Sequence, residues 1–190
     1  VTASTIRVSL TSTTTLTVGR ARWRNQAIML AQGEYITGID DDDEWTPNRL
    51  SVFLAHKQQL VTHAFLYAND YVCQGEVYSQ PASLPLYPKS PYSRRLFYKR
   101  NIIGNQVFTW AWRFKECLFD TELKAAQDYD IFLRMVVEYG EPWKVEEATQ
   151  ILHINHGEMQ ITSSPKKFSG YFHFYRKHKD QIRPCQVKNI

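Results

Sequence analysis

The sequence predicts a single α/β domain in which a mixed sheet is flanked by helices. Two observations support this prediction. Short apolar runs typical of buried strands alternate along the chain with longer segments of helical periodicity. The chain has 190 residues, 43% hydrophobic and 22% charged, which suits one ordinary globular domain with a buried core. Strands that alternate with helices pack as layers around a sheet.

The N-terminal elements are predicted from short local patterns. A strand is expected over residues 5–10, before a threonine-rich loop. The segment Ala21–Gln32 is expected to form a helix that ends at Gly33, because glycine commonly closes helices. The apolar run Tyr35–Ile39 is expected to be a buried strand.

Four consecutive carboxylates, Asp40–Asp43, lie between that strand and the next predicted helix. Thr46 is expected to be the N-cap of this helix and Pro47 its first residue, and the helix should reach about His63. The acidic run therefore lies where a strand ends and a helix is about to begin, which is where ligands bind in open α/β sheets.

The C-terminal two thirds of the chain continue the alternation. The remaining predictions are, in order, a strand over 64–72, a proline-rich loop over 79–93, a strand or short helix over 107–112, a helix over 127–139 closed by Gly140, a strand over 143–152 and a basic amphipathic helix over 168–182.

The acidic run suggests a cation site. Adjacent carboxylates repel one another by about 1 kcal/mol per close pair in water, and by more when partly buried. A bound Mg²⁺, Mn²⁺ or Ca²⁺ removes that repulsion. A solvated acidic turn is the alternative. An EF-hand loop is excluded, because counting from Asp40 places Trp45 at the sixth position and Ser51 at the twelfth, where glycine and glutamate are needed.

Composition argues against several other classes of protein. The net charge of +4 is too mild to indicate nucleic-acid binding, and the basic excess is local. The three cysteines form no CxxC pair, which gives no indication of a zinc or redox site and favours a reduced, cytoplasmic setting. No apolar stretch approaches the length of a membrane span.

Three motifs resemble those of inverting, GT-A-type glycosyltransferases of family two, including enzymes of bacterial surface polysaccharide synthesis. GRARWRNQAIMLAQGEYITGIDDDDEWTPNRL (Gly19–Leu50) resembles the stretch around the DxD motif. CLFDTELKAAQDYDIFLRMV (Cys117–Val136) resembles the catalytic-base segment, and HINHGEMQITSS (His153–Ser164) resembles the end of such domains. The resemblance implies a GT-A-like fold that binds a nucleotide-sugar donor and a divalent cation, Mn²⁺ or Mg²⁺.

The resemblance also implies a role for each acid. Asp128 matches the catalytic base. The alternative is that an aspartate in the first turn of a helix is simply stabilised by the helix dipole, an explanation that fits Asp130 better than Asp128. Asp42 matches the direct metal ligand, and Asp40 would face the ribose or a metal-bound water. Asp43 would support the loop or touch the donor sugar, with a solvated turn as the alternative.

Further residues match the family less specifically. On the predicted first helix Arg22, Arg24 and Asn25 match residues near the donor nucleotide, with a plain surface helix as the alternative. Near the end of the domain, His156 is the preferred histidine for a metal or diphosphate contact, and His153 is a second candidate. Two other candidates are Gln127, which replaces the usual glutamate before the base, and Trp45, which could stack on a sugar ring.

The sequence departs from the family at its start. The usual opening strands and the Asp-Asp-x-Ser motif that holds the nucleotide base have no match, so an N-terminally incomplete domain is expected. The alternative function is a non-catalytic remnant that binds carbohydrate or a protein partner. An open sheet edge is expected where those strands belong, leading either to self-association or to occlusion by residues 1–18.

One domain over residues 1–190 is expected, with a donor and metal half at 18–63, an acceptor half at 64–165 and a basic helix and tail at 166–190. The acceptor implied by the resemblance is a glycan or a lipid-linked glycan. The segment Lys166–Arg183 combines cations with regularly spaced aromatic residues, which suggests peripheral contact with the inner face of the membrane. A structural cap is the alternative.

Overall fold

A computed structural model describes residues 19–40, 42–74, 84–154 and 166–186. The helices are α1 (Arg20–Leu30), α2 (Arg49–Ala55), α3 (Arg94–Phe97), α4 (Ala111–Cys117), α5 (Gln127–Tyr139) and α6 (Lys166–Gln186), with a 3₁₀ turn at Lys57–Val61. The strands are β1 (Tyr35–Thr37), β2 (Glu44–Trp45), β3 (Leu66–Gln74), β4 (Leu86–Tyr87), β5 (Phe108–Trp110) and β6 (Trp143–Ile154).

The strands form one mixed sheet in the order β1-β5-β3-β6-β2, with β4 paired to β3. Only β3 and β6 are parallel among the described strands, and their pairing runs from Leu66 opposite Trp143 to Gln74 opposite Ile154. The other pairs are antiparallel. The predicted mixed sheet with flanking helices is therefore confirmed.

Side chains on alternate residues of the central strands separate the core into two layers. Phe65 and Tyr67 pack into a large cluster with α5, whereas Leu66 and Ala68 pack into a smaller cluster with Phe53 of α2. This is the two-residue period of a strand that is buried on both faces. Helices thus cover both sides of the sheet, and the strand ends remain available for a site.

The predicted start of the second helix is wrong. Thr46 does not cap it, because its backbone N–H donates to Thr149 O of β6 at 3.1 Å, so the chain is still paired with the sheet there. Helix α2 begins at Arg49, with Asn48 in the N-cap position. The helix also ends earlier than predicted, and the 3₁₀ turn at Lys57–Val61 continues it.

Other boundaries differ in smaller ways. The two-residue strand β4 lies inside the predicted proline-rich loop, because its backbone pairs with Asp70 and Tyr71 of β3. The segment predicted as strand or short helix contains both, since β5 ends at Trp110 and α4 begins at Ala111. The strand predicted over residues 5–10 lies outside the described residues.

The edge of the sheet at β1 leads to a prediction about assembly. Within the described part of the chain, β1 pairs with β5 and with no other strand. We expect either self-association through this edge or its occlusion by residues 1–18. Light scattering across protein concentrations tests this, together with a variant that lacks residues 1–18. Either the unaltered chain or the variant that lacks residues 1–18 should self-associate. If both proteins are monomeric, the prediction is wrong.

Candidate active site

The acidic run lies between β1 and β2, where the chain leaves the sheet and soon returns to it. Asp40, Asp42 and Asp43 each offer a carboxylate oxygen, and these atoms all lie within 4.8 Å of one another. The short strand β2 pairs with β6 immediately afterwards, with Glu44 opposite Ile151. The turn is therefore anchored at both ends, which holds three like charges together.

Arg24 of α1 joins this acidic run to the predicted catalytic base. Its guanidinium donates to Asp40 Oδ1 at 2.6 Å and to Asp128 Oδ1 at 2.7 Å. Both carboxylates keep roughly a quarter of their side-chain surface exposed. Arg24 also lies over the ring of Phe119, 5.2 Å from its centroid. The fold thus brings together Arg24, Asp40 and Asp128, three residues that the sequence separated widely.

Two amide side chains, Asn105 and Gln150, donate hydrogen bonds to the acids and hold their orientation. Asn105 Nδ2 donates to Asp40 Oδ2 at 2.7 Å and to Asp43 Oδ2 at 3.0 Å. Gln150 Nε2 of β6 donates to Asp43 Oδ2 at 2.8 Å, and the backbone N–H of His153 reaches Asp43 Oδ1 at 3.4 Å. Protein donors therefore contact both oxygens of Asp43, which fits the predicted role of supporting the loop.

The surroundings raise the pKa of two carboxyl groups. Burial raises the pKa of Asp128 to about 6, with Asp40 adding to the rise and the Arg24 guanidinium opposing it. Burial likewise raises the pKa of Asp43 to about 6, where the Asn105 amide lowers it and the neighbouring acids raise it. A carboxylate with this pKa is ionised at neutral pH and is a stronger base than an ordinary aspartate.

The segment between α4 and α5, which leads to Asp128, is held by neighbouring elements. Asn25 of α1 clamps the backbone of Phe119, donating to its carbonyl at 2.8 Å and accepting from its N–H at 2.7 Å. Arg134 donates to Leu118 O at 2.5 Å. Ala126, directly before α5, has a φ of 60°. The Asn25 amide is thus occupied by backbone, and its role in donor binding stays a prediction.

Helix α6 packs against the start of α5 through a buried ionic cluster. Asp130 is fully buried and lies 2.7 Å from His178 Nε2, 2.8 Å from Lys177 Nζ and 2.9 Å from the Arg134 guanidinium. These partners hold the pKa of Asp130 at about 2 even though burial alone would raise it. Asp130 therefore has a structural role, and Asp128, two residues earlier and on another side of the helix, is the acid that lines the cleft.

We expect Asp130→Asn to lower the free energy of unfolding by roughly 2–4 kcal/mol. This loss is somewhat smaller than that for a fully buried ion pair, because the partners Lys177 and Arg134 are partly exposed. The depressed pKa means that this stabilisation is complete above about pH 4 and is lost as pH falls toward 2. Denaturant unfolding at pH 7 and pH 3 tests this, with the exposed Glu138→Gln of the same helix as control. A variant as stable as the control at pH 7 would contradict the prediction.

The other candidate residues lie around this centre. Trp45 Nε1 donates to Gly38 O at 3.2 Å, and Gln127 Nε2 donates to Leu123 O at 2.7 Å, so both side chains support the backbone. His153 Nε2 lies 2.9 Å from Glu44 Oε1. Arg22 is exposed on α1, and His156 lies outside the described residues.

An open cleft of about 1220 Å³ exposes Asp40, Asp128 and Arg24 together. A neighbouring cavity of about 650 Å³, beneath α1 and along β1, also reaches Arg24 and Asp128. Asp40, the first acid of the run, and the candidate base Asp128 therefore line one solvent-accessible space large enough for a nucleotide sugar and part of an acceptor.

The residues of the acidic run fit a divalent cation. Carboxylate oxygens are the hard ligands that Mg²⁺ and Mn²⁺ prefer. Protein donors contact both oxygens of Asp40 and both oxygens of Asp43, whereas Asp42 is the exposed acid of the three and is best placed to supply a ligand. The Gln150 side chain is fully buried at Asp43, and its Oε1 has no hydrogen-bond partner, which leaves one more oxygen acceptor beside the acids.

Comparison with known proteins identifies the family. The model for glycosyl transferase family 2 matches residues 5–119. The chain belongs to glycosyl transferase family 2. A relative in Escherichia coli strain K12, named "Putative colanic acid biosynthesis glycosyl transferase WcaA", is 97% identical over 170 residues, which is 90% of this chain. The chain spans 61% of the length of that relative.

Solved structures agree on the fold. Residues 1–349 of Staphylococcus aureus TarS in complex with UDP-GlcNAc are similar with a TM-score of 0.57 at 18% identity, over 77% of this chain and 42% of that chain. A second crystal structure of S. aureus TarS 1–349 is similar with a TM-score of 0.53 at 17% identity, over 84% of this chain and 53% of that chain. The family 2 chain therefore has the GT-A-like fold that its motifs predicted.

Proposed function

We propose that this family 2 chain carries the catalytic centre of an inverting glycosyltransferase that moves a sugar from a nucleotide-diphosphate donor to a glycan or lipid-linked acceptor. One observation carries the proposal: Arg24 contacts Asp40 of the acidic run and Asp128 at the same time. A group that binds the leaving diphosphate and a group that takes the acceptor proton must lie on either side of one sugar, and this contact brings the two together.

Asp128 is the proposed general base. Its carboxylate faces the cleft and is ionised at neutral pH with a pKa of about 6. It takes the proton from an acceptor hydroxyl as that oxygen bonds to the anomeric carbon of the donor sugar. The bond from that carbon to the diphosphate oxygen breaks with both electrons remaining on the diphosphate. A single displacement of this kind inverts the anomeric configuration.

The acidic run and Arg24 would serve the leaving group. A divalent cation held by Asp42, with Asp40 facing the ribose or a metal-bound water, would neutralise the negative charge that develops on the diphosphate. Arg24 offers a planar pair of N–H groups, which suits phosphate oxygens as well as carboxylates. Arg22, on the same helix, is a further candidate for the donor phosphates. Asn105 keeps Asp40 and Asp43 in place by donating to both.

The relatives suggest which substrates to test first. The E. coli relative takes its name from colanic acid biosynthesis, and TarS was solved with UDP-GlcNAc. We therefore propose a UDP-sugar donor and an acceptor from polysaccharide assembly, in the cytoplasm. The alternative, a non-catalytic remnant, would keep the fold without binding a nucleotide.

Thermal shift with Mn²⁺ and a panel of nucleoside diphosphates tests the proposal. A ligand at one hundred times its dissociation constant adds about 2.7 kcal/mol to folding stability, so one nucleotide should raise the melting temperature distinctly. The rise should require Mn²⁺ and should be absent in Asp42→Ala. If no nucleotide raises the melting temperature of this chain with or without metal, donor binding by these residues is wrong.

Helix α6 supports a second part of the proposal, contact with an anionic membrane surface. Gly170, Phe174, His178 and Ile182 form its buried face. Tyr171, Phe172 and Tyr175 keep a third to a half of their surface exposed, with Arg176 over the Phe172 ring. The sequence had left open whether these aromatic residues pack on the domain, and all three are solvent-facing. No helix among the described residues is long and apolar enough to cross a membrane.

Exposed aromatic residues beside cations are typical of helices that bind the membrane interface. We expect co-sedimentation with vesicles that contain anionic lipid, weakened by salt and by replacing Tyr171, Phe172 and Tyr175 with serine. Replacing the exposed Met29 and Leu30 of α1 with serine serves as the control. Absence of binding to anionic vesicles at low salt would leave α6 as a structural cap.

A further inference from the structure

The cleft that holds Asp128 has walls that the proposed chemistry does not use. One wall comes from the hairpin of β3 and β4, with Tyr87 and the buried pair Lys89–Asp70. A second comes from the residues before β5, among them Arg100. The third joins the segment before α5 to the start of α6, with Lys124 and Tyr171.

The lining of this cleft carries more cationic than anionic side chains. Lys89 Nζ is neutralised by Asp70 at 2.9 Å, and Arg24 is shared between Asp40 and Asp128. The remaining cations of the lining, Arg20, Arg100 and Lys124, are exposed and make no ion pair with any residue that the structure describes. The rim of the cleft is therefore positive after every acid in its lining has been paired.

Two of these cations, Arg100 and Lys124, line the cleft together with Asp40 and Asp128. Lys124 precedes Ala125, whose backbone N lies only 2.6 Å from where a Cβ on Gly170 would be, so Lys124 and Tyr171 flank one tight contact between segments. Arg100 begins the segment that ends at Asn105, which hydrogen-bonds Asp40. The uncompensated charge thus borders the same space as the base.

Two exposed tyrosines line the same cleft as these cations. Tyr87 is 56% exposed and Tyr171 is 46% exposed, although both line the cleft. Exposed aromatic rings at a cleft offer flat apolar faces on which sugar rings stack. A cleft lined by tyrosines and by unpaired cations is therefore suited to a sugar that carries a negative charge.

We propose that this rim is a binding site for an anionic glycan acceptor, in which Arg100 and Lys124 pair with a carboxylate or phosphate on the sugar and Tyr87 and Tyr171 pack on its rings. The inference rests on the proposed function, because it names the acceptor class of that same centre. The donor diphosphate has its own partners in the acidic run and Arg24, so the rim cations serve a second anion.

Calorimetry on this chain with three matched tetrasaccharides tests the proposal, in the presence of Mn²⁺ and UDP. The probes end in glucose, glucuronate or glucose 6-phosphate. We expect the two charged probes to bind at least tenfold more tightly than the neutral one, with the tighter of the two identifying carboxylate or phosphate as the natural group. Arg100→Gln and Lys124→Gln should each weaken the charged probes about fivefold to tenfold, as expected for charge-assisted contacts at a partly exposed site.

Matched variants separate this site from general effects. Lys99 is an exposed cation next to Arg100 in the sequence, but Lys99 lies outside the cleft lining. Lys99→Gln should therefore leave binding of the probes unchanged. Phe172→Ala is the corresponding control for Tyr87→Ala, which should weaken all three probes. Binding of UDP with Mn²⁺ should stay normal in Arg100→Gln and Lys124→Gln.

The outcomes distinguish this inference from the proposed function. Normal UDP binding together with equal binding of charged and neutral probes would overturn the anionic acceptor site alone. Loss of UDP binding in Arg100→Gln or Lys124→Gln would assign these cations to the donor and overturn it as well. Absence of UDP binding in the unaltered chain would instead count against the proposed function.

Discussion

Asp128→Asn should lower kcat by roughly 10²–10⁴ in an active enzyme that contains this domain, the contribution usual for a general acid or base. The amide keeps the shape of the side chain and can still contact Arg24. It cannot take the proton from the hydroxyl group of the acceptor sugar. Because that interaction belongs to the transition state, donor affinity should change little. Steady-state kinetics and nucleotide calorimetry on the same protein separate the two effects.

The control for this variant is Glu122→Gln, which neutralises an exposed carboxylate in the segment before α5, outside the cleft lining. Its turnover should stay within a factor of about two of the unaltered enzyme, since a surface substitution away from the site usually has small effects. Turnover of Asp128→Asn that is as high as that of Glu122→Gln would remove Asp128 from the mechanism.

The second large effect is expected at the metal. Asp42→Ala should weaken Mn²⁺ binding in the presence of UDP by at least about 10–100-fold. Loss of a residue that only supports a metal ligand already has an effect of this size, and a direct ligand contributes more. Among the described acids Asp40, Asp42 and Asp43, Asp42 is the exposed one, whereas Asn105 and Gln150 donate to Asp43 from within the protein. Isothermal calorimetry with Mn²⁺ measures the change.

Two variants show whether the effect is specific to Asp42. Glu34→Ala removes an exposed acid before β1 and should leave the affinity for Mn²⁺ unchanged. Asn105→Ala, which removes a support of Asp40 and Asp43, should weaken Mn²⁺ binding less than Asp42→Ala does. If Asp42→Ala binds Mn²⁺ as well as the unaltered chain, the assignment of this ligand is wrong.

The parts of the fold with strong local patterns were predictable from sequence. Helix α5 has the predicted bounds, Gln127–Tyr139, because its apolar residues repeat at helical spacing and Gly140 follows. The start of α2 was not predictable, since Thr46 and Pro47 form a good local helix start. Pairing of Thr46 with β6 overrides that preference, and it depends on a strand far along the chain.

The site divides in the same way. The acids and Arg24 belong to recognisable motifs, whereas Asn105 and Gln150 belong to none. A buried polar residue in a strand such as Gln150 is a weak signal, and only the folded structure shows that it contacts Asp43. The role of Asn25 also required the fold, because its partner is the backbone of a distant residue. Interactions between side chains and distant backbone leave no pattern in the sequence.

The most direct test of the central claim, that the acidic run and Asp128 form one sugar-transfer centre, is anomalous diffraction at the manganese edge from crystals grown with Mn²⁺ and UDP. The predicted result is a manganese peak at coordination distance from an Asp42 oxygen, with the diphosphate on that ion and in the cleft that Asp128 faces. Manganese and nucleotide bound away from Asp42, or in a cavity that Asp128 does not reach, would contradict the account.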